Sequence, residues 1–490
     1  MALRVRAWLI ACATLIILLV PIAVAGTAWA KSDRGAGALI ADGQTASAAS
    51  PPEVQQLTLT VARQAYDLLL DNFVSPPQPS VLLLAAASEI GRRTADKRTA
   101  EWPVPTISAD ASRDDAWRAF ELWLDRVALA LSPIVERTAL DEMVVRALAQ
   151  SMAEHHTRYL DPRQNEEHQA WRRGEVRYDG IGARLRRPST VVLEVFEGSP
   201  AARAGVRRGD RIIGVNGESI ADATSDVAIT KIRGPIGSTV ELLVERRGAA
   251  TPLRFTIERG EISMPFVRWS VMERDDGRRV GYLQIRGFPE PGIDERVGQA
   301  LTELDARKID GLLLDLRGNS GGRIDVGVKV ASRFIQDGTV FQQVDRSGRQ
   351  RQVRPVEGVY WGRSIPIVAL IDGGTASMGE ILGSALQETG TAKVVGTVSS
   401  GSVAGARMFP LANGGAMQIT VLTITSGRGT VLNDIGVQPD QAIDLSDDDL
   451  LSGVDAQLEA GIQQLGLAPR STSLRHLISG TAQESLLEAA

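Results

Sequence analysis

A chain of 490 residues exceeds what one hydrophobic core usually organises, so about two to four domains are expected. Hydrophobic residues at 43% and charged residues at 23% exclude a mostly disordered chain and a polytopic membrane protein. A net charge of −5, aromatics at 4% and a single cysteine, Cys12, argue against a nucleic-acid binder, a disulfide framework and a cysteine–zinc cluster.

Residues 1–30 read as an export signal. Arg4 and Arg6 precede an apolar run over 7–25, and Ala28-Trp29-Ala30 has the small-x-small pattern of a cleavage site. If it is not cleaved, the run is long enough to anchor the chain in a bilayer, the one membrane contact expected. The location implied is extracytoplasmic, periplasmic or anchored at an inner membrane. Residues 31–56 are rich in Gly, Ala and Ser and form a flexible tether. Residues 57–175 carry helical patterns: Leu57, Val61, Ala65, Leu68 and Leu69 recur at helical spacing up to Pro76-Pro77. Further helices are predicted over 80–93, 114–131 and 139–155.

The texture changes near Val176. Short β runs over 191–195, 211–215, 240–246 and 253–258 are punctuated by Gly198-Ser199-Pro200, Gly209-Asp210 and Asn216-Gly217. Residues 176–262 thus form a small β-rich module. Over 263–445 strands alternate with helices. Strands are predicted at 281–285, 311–316, 366–371, 393–395 and 417–425, and helices at 293–306, 326–335 and 377–388. That alternation means a layered α/β domain. Residues 446–490 hold one amphipathic helix over 454–465 and a tail.

The chemistry concentrates in two turns. In Leu370-Ile-Asp-Gly-Gly-Thr-Ala-Ser377-Met378-Gly-Glu380 an apolar strand ends in glycines, and a serine opens a helix. Its hydroxyl sits at a sharp turn, and the helix N-terminus offers N–H groups to a developing oxyanion. A serine at that place also serves simply as a helix cap. The second turn, Asp315-Leu-Arg317-Gly-Asn-Ser-Gly321-Gly322, again follows an apolar strand. It matches neither a P-loop nor a dinucleotide fingerprint, and two N–H clusters at neighbouring strand ends suit acyl chemistry better.

With these motifs the chain resembles the C-terminal processing peptidases, or tail-specific proteases. The likeness includes Phe73-Val74-Ser75-Pro76, His156-Thr157-Arg158-Tyr159-Leu160, Tyr178-Asp179-Gly180-Ile181-Gly182 and Gly198-Ser199-Pro200-Ala201. It continues through Asp315 to Gly322, Thr375-Ala376-Ser377 with Glu380, and Gly436-Val437-Gln438-Pro439-Asp440. Order and spacing together make it specific. The resemblance implies a multidomain α/β protein: a crotonase- or ClpP-like serine peptidase core, a PDZ domain over 176–262 and an N-terminal helical region. It implies Ser377 as nucleophile, the Gly321 and Met378 amides as oxyanion donors, and no cofactor or metal. The partners implied are protein or peptide C-terminal tails. Gly180-Ile181-Gly182 would present N–H groups to the terminal carboxylate, and the strand from Ala183 would pair with the peptide.

One departure bears on activity. The family pairs its serine with a lysine base in a Gly-Lys-Gly-Ser-Val-Gln-like segment. Here the matching stretch is Gly401-Ser402-Val403-Ala404-Gly405-Ala406, so Ser402 holds the lysine position and Ala406 that of the supporting glutamine. Lys393, upstream, is expected on the strand itself. A serine hydroxyl takes no proton near neutral pH, whereas a desolvated lysine amine does. The related branch typified by the tricorn protease takes its base from a histidine in the region of His156. His156 is therefore the substitute base, with His155 less well aligned; packing near a helix end is its other reading. Asn433 or Asp434 could complete such a set. Two functions stay open: an exported endopeptidase, or a pseudoprotease that holds C-terminal tails as a scaffold.

Overall fold

The computed structural model describes residues 59–94, 103–131, 137–175, 177–263, 265–274 and 276–466. The expected export segment and tether, and the tail beyond residue 466, lie outside the described residues. Among the described residues no helix is long and apolar enough to cross a membrane.

A six-stranded sheet forms the centre, in the order Val267–Glu273, Arg279–Ile285, Gly311–Asp315, Ile367–Ile371, Lys393–Gly396, Gln441–Ala442. The first pair is antiparallel and the others are parallel. Gly311–Asp315 and Ile367–Ile371 are buried at every position. Covered on both faces, such strands read as continuous apolar runs. One face, with Leu312, Leu314 and Ala369, packs on Val297, Val330, Ile381 and Leu382 of three helices, Ile293–Ala306, Ile324–Phe334 and Met378–Glu388. On the other, Leu313, Val368 and Leu370 meet Leu458 and Leu465 from the helix Ala456–Gln464 and its end. The helix that the sequence sets beside a tail is thus a layer of the core sandwich. Because the strands are parallel, Asp315, Ile371 and Gly396 all end on one edge, where α/β sheets bind ligands.

A second sheet is built around the long strand Ala416–Ser426, which pairs with Arg158–Leu160, Phe341–Asp345 and Gly405–Pro410. Helices Thr60–Asn72, Pro79–Arg93, Arg113–Leu131 and Arg137–Gln150 bury Tyr66, Trp117, Phe120 and Leu148 together. Leu411, Met417 and Ile419 close the same cluster, so the helical region shares a core with this sheet.

Two expectations change here. The fourth helix, predicted to reach residue 155, ends at Gln150. Ala153 is left-handed at φ 52°, and the His156 amide donates to Glu154 Oε2 at 2.8 Å. His156 therefore sits in a turn. Residues 162–172, not predicted as a helix, form one opened by Asp161 and Gln164, each side chain bonding the other's backbone amide. Its composition, Pro-Arg-Gln-Asn-Glu-Glu-His-Gln-Ala-Trp-Arg, carries no apolar stripe.

Residues 177–263 form an antiparallel module with the four-stranded order Glu218–Ser219, Arg211–Val215, Thr239–Glu245, Leu253–Glu258. Ile181, Val192, Ile212, Ala228, Val240 and Leu242 make its core. Charged contacts join it to the α/β core: Glu194 to Arg286, Glu194 to Arg268 at 3.3 Å, and Arg208 to Asp455 at 3.1 Å. Asp455 also binds Arg317 at 2.9 Å, in the glycine-rich turn after Asp315.

Candidate active site

After Ile371 the chain turns through Asp372-Gly-Gly-Thr-Ala and enters the helix Met378–Glu388 at Ser377. Ser377 has φ 53° and ψ −120°, a backbone that L-residues adopt only under constraint. The constraints are hydrogen bonds from neighbouring loops. Ala376 N donates to Asn319 O at 2.8 Å, Ser377 N to Ser402 O at 3.0 Å and Ser400 N to Thr375 O at 2.9 Å. Thr375 Oγ1 donates to Leu316 O at 2.8 Å. Ser377 is thus held in a strained backbone at a strand–helix turn while still forming a capping box with Glu380.

Glu380 is the organising group that residue-type reasoning passed over. Fully buried, it accepts four hydrogen bonds. Oε1 takes Ser399 Oγ at 2.6 Å and Gly401 N at 2.7 Å. Oε2 takes Ser377 N and Ser402 N, each at 2.9 Å. The sequence signal was present: Ser followed three residues later by Glu is the capping-box spacing.

The two glycine turns meet at Gly321, left-handed at φ 85°. A Cβ there would lie 2.7 Å from Ser377 Cβ and 2.9 Å from Met378 N, an approach only glycine permits. The Gly321 amide, however, donates to Asn319 Oδ1 at 2.9 Å. Asn319 is fully buried and anchored by Nδ2 to Ile285 O at 2.9 Å. The N–H expected to donate to an oxyanion is engaged by this side chain. Met378 is the first residue of the helix Met378–Glu388, where N–H groups lack intrahelical acceptors.

His156 lies half-buried in the turn before the strand Arg158–Leu160. Its Nε2 is buried and has no hydrogen-bond partner among the described residues. Burial holds its pKa below the usual 6.5, and the charges of Glu154 and Glu380 oppose that effect. Glu154 Oε1 accepts Thr420 Oγ1 at 2.9 Å, and Thr420 stands opposite Ala406 on the neighbouring strand. Thus the His156 turn and the strand that starts at Gly405 meet at one residue. His155 is exposed.

Ser402 Oγ bonds Ser400 Oγ at 3.1 Å, and the Ser402 backbone flanks Ser377. Ala406 is exposed. Lys393 is exposed at the start of its strand, and Gly396 marks the end nearest the site. At about 3.3 Å per residue the strand carries Lys393 away from Ser377. Asn433 Oδ1 accepts Val403 N at 3.2 Å, and Asp434 N donates to Gly401 O at 2.7 Å. Both brace the 401–403 loop.

In the β module Gly182 is left-handed at φ 77°, and a Cβ there would come 2.3 Å from Ser199 Cβ. Ile181 O accepts Ala201 N at 2.7 Å and Gly182 O accepts Phe196 N at 2.9 Å. The loop carbonyls are thus turned to internal partners. Strand Ala183–Leu185 pairs with Val192–Val195, and among the described residues its other edge carries no strand.

Residues 279–443 match the model of peptidase family S41, and residues 191–246 match a PDZ domain model. The carboxy-terminal processing protease CtpB of Bacillus subtilis (strain 168) is 29% identical over 341 residues, 69% of this chain and 70% of the relative. A carboxyl-terminal-processing protease of Synechocystis sp. (strain ATCC 27184 / PCC 6803 / Kazusa) is 29% identical over 376 residues, 74% of this chain and 86% of the relative. The structure of the photosystem II D1 C-terminal processing protease has a TM-score of 0.50 to this one at 22% identity. The match covers 84% of this chain and 99% of that chain, a likeness of fold.

Proposed function

We propose that this chain, a serine-type peptidase of family S41 with an inserted PDZ domain, is an exported endopeptidase that engages the C-terminal tails of other proteins. Export rests on the apolar run and cleavage pattern of residues 1–30. Tail recognition rests on the Gly180–Gly182 loop beside a free strand edge, and on relatives named for carboxyl-terminal processing.

The observation that carries the catalytic reading is the strained backbone of Ser377 at the start of the helix Met378–Glu388, with its amide held by Glu380. The buried His156 Nε2, without a hydrogen-bond partner among the described residues, supports that side chain as the base. Ser377 Oγ attacks the peptide carbonyl, and His156 Nε2 takes its proton. The Met378 N–H stabilises the oxyanion. His156 then returns the proton to the leaving amine as the C–N bond breaks. Water attacks the acyl-enzyme by the same route, which releases the new carboxyl end and restores Ser377. Glu380 takes no proton in this scheme. It holds the Ser377 and Ser402 amides in place.

A second reading, a pseudoprotease that binds tails without cutting them, is favoured by Ser402 and Ala406 in the places of lysine and glutamine. A serine-reactive phosphonate separates the two readings. With the full chain and an unstructured test protein, the peptidase reading expects labelling at Ser377 and fragments that disappear in Ser377→Ala. Absent labelling, with fragments no more abundant than in Ser377→Ala, establishes the pseudoprotease.

A further inference from the structure

We propose that the outer edge of the strand Gly405–Pro410 binds the substrate as an added β-strand and leads it to Ser377. The substrate class is then an extended, unstructured segment recognised through its backbone. The inference rests on the reading of Ser377 as nucleophile and names the kind of chain that site accepts.

Gly405–Pro410 pairs on one side with Ala416–Ser426. Among the described residues no strand lies on its other side. The register decides which main-chain groups face that side. Leu411 N donates to Gly415 O at 2.9 Å, so these two residues form a bonded pair. Bonded and non-bonded pairs alternate along an antiparallel ladder. Phe409 with Met417 and Arg407 with Ile419 are therefore bonded, whereas Met408 with Gln418 and Ala406 with Thr420 are not. The Thr420 backbone agrees. Its N–H donates to Thr157 Oγ1 at 3.1 Å and its carbonyl accepts Val74 N at 2.9 Å, so neither group is spent on Ala406. The N–H and C=O groups of Ala406 and Met408 thus point outward. Among the described residues they meet no hydrogen-bond partner there. Such an unpaired edge is a template for another chain.

Both ends of the edge are defined. At the far end the Pro410 carbonyl accepts Gln64 Nε2 at 3.2 Å, from the helix Thr60–Asn72. At the near end the strand starts just past Ser402. Ser402 O accepts the Ser377 amide at 3.0 Å, and one oxygen of Glu380 holds the amides of both serines. At about 3.3 Å per residue, Ala406 lies at most about 13 Å from Ser402, the length of about four extended residues of substrate.

The outward stretch is also open to a peptide. Ala406 and Arg407 are exposed, and Met408 and Phe409 are half-buried. Ala406 shares a face with Thr420, whose Oγ1 donates to Glu154 Oε1 in the turn that holds His156. The edge therefore runs between the loop that flanks Ser377 and the strand that carries the contact to the His156 turn. Main-chain pairing of this kind supplies affinity without reading side chains, and a helical or folded segment cannot make it.

The test uses the full chain carrying Ser377→Ala, so that binding is read without turnover. One unstructured fluorescent peptide with an amidated C-terminus is N-methylated at one amide at a time. Strand addition expects alternation: methylation at every second amide weakens binding about three- to tenfold, and methylation between them changes it little. The same peptide carrying a photoreactive group should cross-link within residues 405–410. Met408→Pro removes an outward N–H and spares the ladder, because edge strands accept proline where the N–H faces outward. It should bind the unmethylated peptide about three- to tenfold more weakly at an unchanged melting temperature. Arg407→Pro, which breaks a ladder bond, should lower the melting temperature. Uniform sensitivity to methylation, cross-links confined to residues 183–185, or a folded Met408→Pro chain that binds like its parent overturns the edge as the site. If Met408→Pro fails to fold, methylation and cross-linking in the Ser377→Ala chain decide alone. Phosphonate labelling of the unaltered chain reports separately on Ser377. Alternation and cross-links at 405–410 in a chain that does not label keep the edge and remove Ser377 as nucleophile. Labelling without them keeps Ser377 and removes the edge.

Discussion

The carboxylate of Glu380 accepts the Ser377 amide at 2.9 Å, and its same oxygen accepts the Ser402 amide at 2.9 Å. Ser377 and the loop that carries Ser402 thus hang on one buried side chain. Gln in place of Glu380 would turn an amide NH₂ toward backbone N–H donors. We expect Glu380→Gln to lose about 2–4 kcal/mol of stability and to abolish phosphonate labelling of Ser377. Chemical denaturation and labelling check both. A variant as stable as the parent would show that the four hydrogen bonds carry little net energy.

Ser377 itself stores strain at φ 53°. Glycine tolerates that backbone, so Ser377→Gly should be more stable than Ser377→Ala by about 1 kcal/mol, with both devoid of peptidase activity. Equal melting temperatures for the two variants would mean that the turn is relaxed.

Much of this arrangement was legible in the residues. The apolar strands 311–315 and 367–371 and the helix 293–306 announce themselves because burial on both faces, or a stripe at helical spacing, writes directly into composition. The strands Phe341–Asp345, Gln350–Val353 and Gly405–Pro410 do not. They are partly exposed and rich in Gln and Arg, and their pairing partner lies far along the chain. At the site, the turn that places Ser377 at a helix start is legible in the strand–glycine–serine–helix pattern. The engagement of the Gly321 amide is not, because it depends on where the Asn319 side chain turns. Nor does residue type reveal that Thr420, distant in sequence, couples the His156 turn to the strand holding Ala406.

The edge of Ala183–Leu185 that pairs with no strand among the described residues, beside Gly182, leads to a test of tail recognition. A peptide with a free C-terminus should bind the Ser377→Ala chain more tightly than its amide. Charge-assisted hydrogen bonds of this kind contribute about 1.5–3 kcal/mol. Titration calorimetry with the acid and amide forms of one peptide measures the difference. Equal affinities for acid and amide would exclude carboxylate capture by the Gly180–Gly182 loop.

A lysine placed at 402, where the resemblance sets the family's base, tests that correspondence directly. Ser402 lies against Ser377 through its backbone, so a lysine there starts close to the nucleophile. Ala406, however, offers nothing to aim the amine or keep it neutral. Ser402→Lys alone should therefore cleave more slowly than Ser402→Lys/Ala406→Gln by about tenfold. Matching rates for the single and double variants would show that the glutamine position contributes nothing here.

His156 gives the sharpest dependence on acidity. Its Nε2 is buried and has no hydrogen-bond partner among the described residues, and burial lowers its pKa from the ordinary 6.5. The imidazole therefore stays neutral, and competent as a base, to more acidic pH than a free histidine. Peptidase activity should fall through an apparent pKa below 6.5, and His156→Ala should reduce it by about 10²–10⁴. Stability should change in the same window. The unfolded chain takes up the proton near pH 6.5, and the folded chain only at lower pH. Between those values acid favours unfolding, so the stabilisation present above pH 6.5 is lost as the pH falls toward the folded value. His156→Ala should flatten that part of the stability profile, while Ser377→Ala, inactive, should keep it. A parent whose activity declines only above pH 6.5, or a His156→Ala chain that cleaves at the parent's rate, would remove His156 as the base.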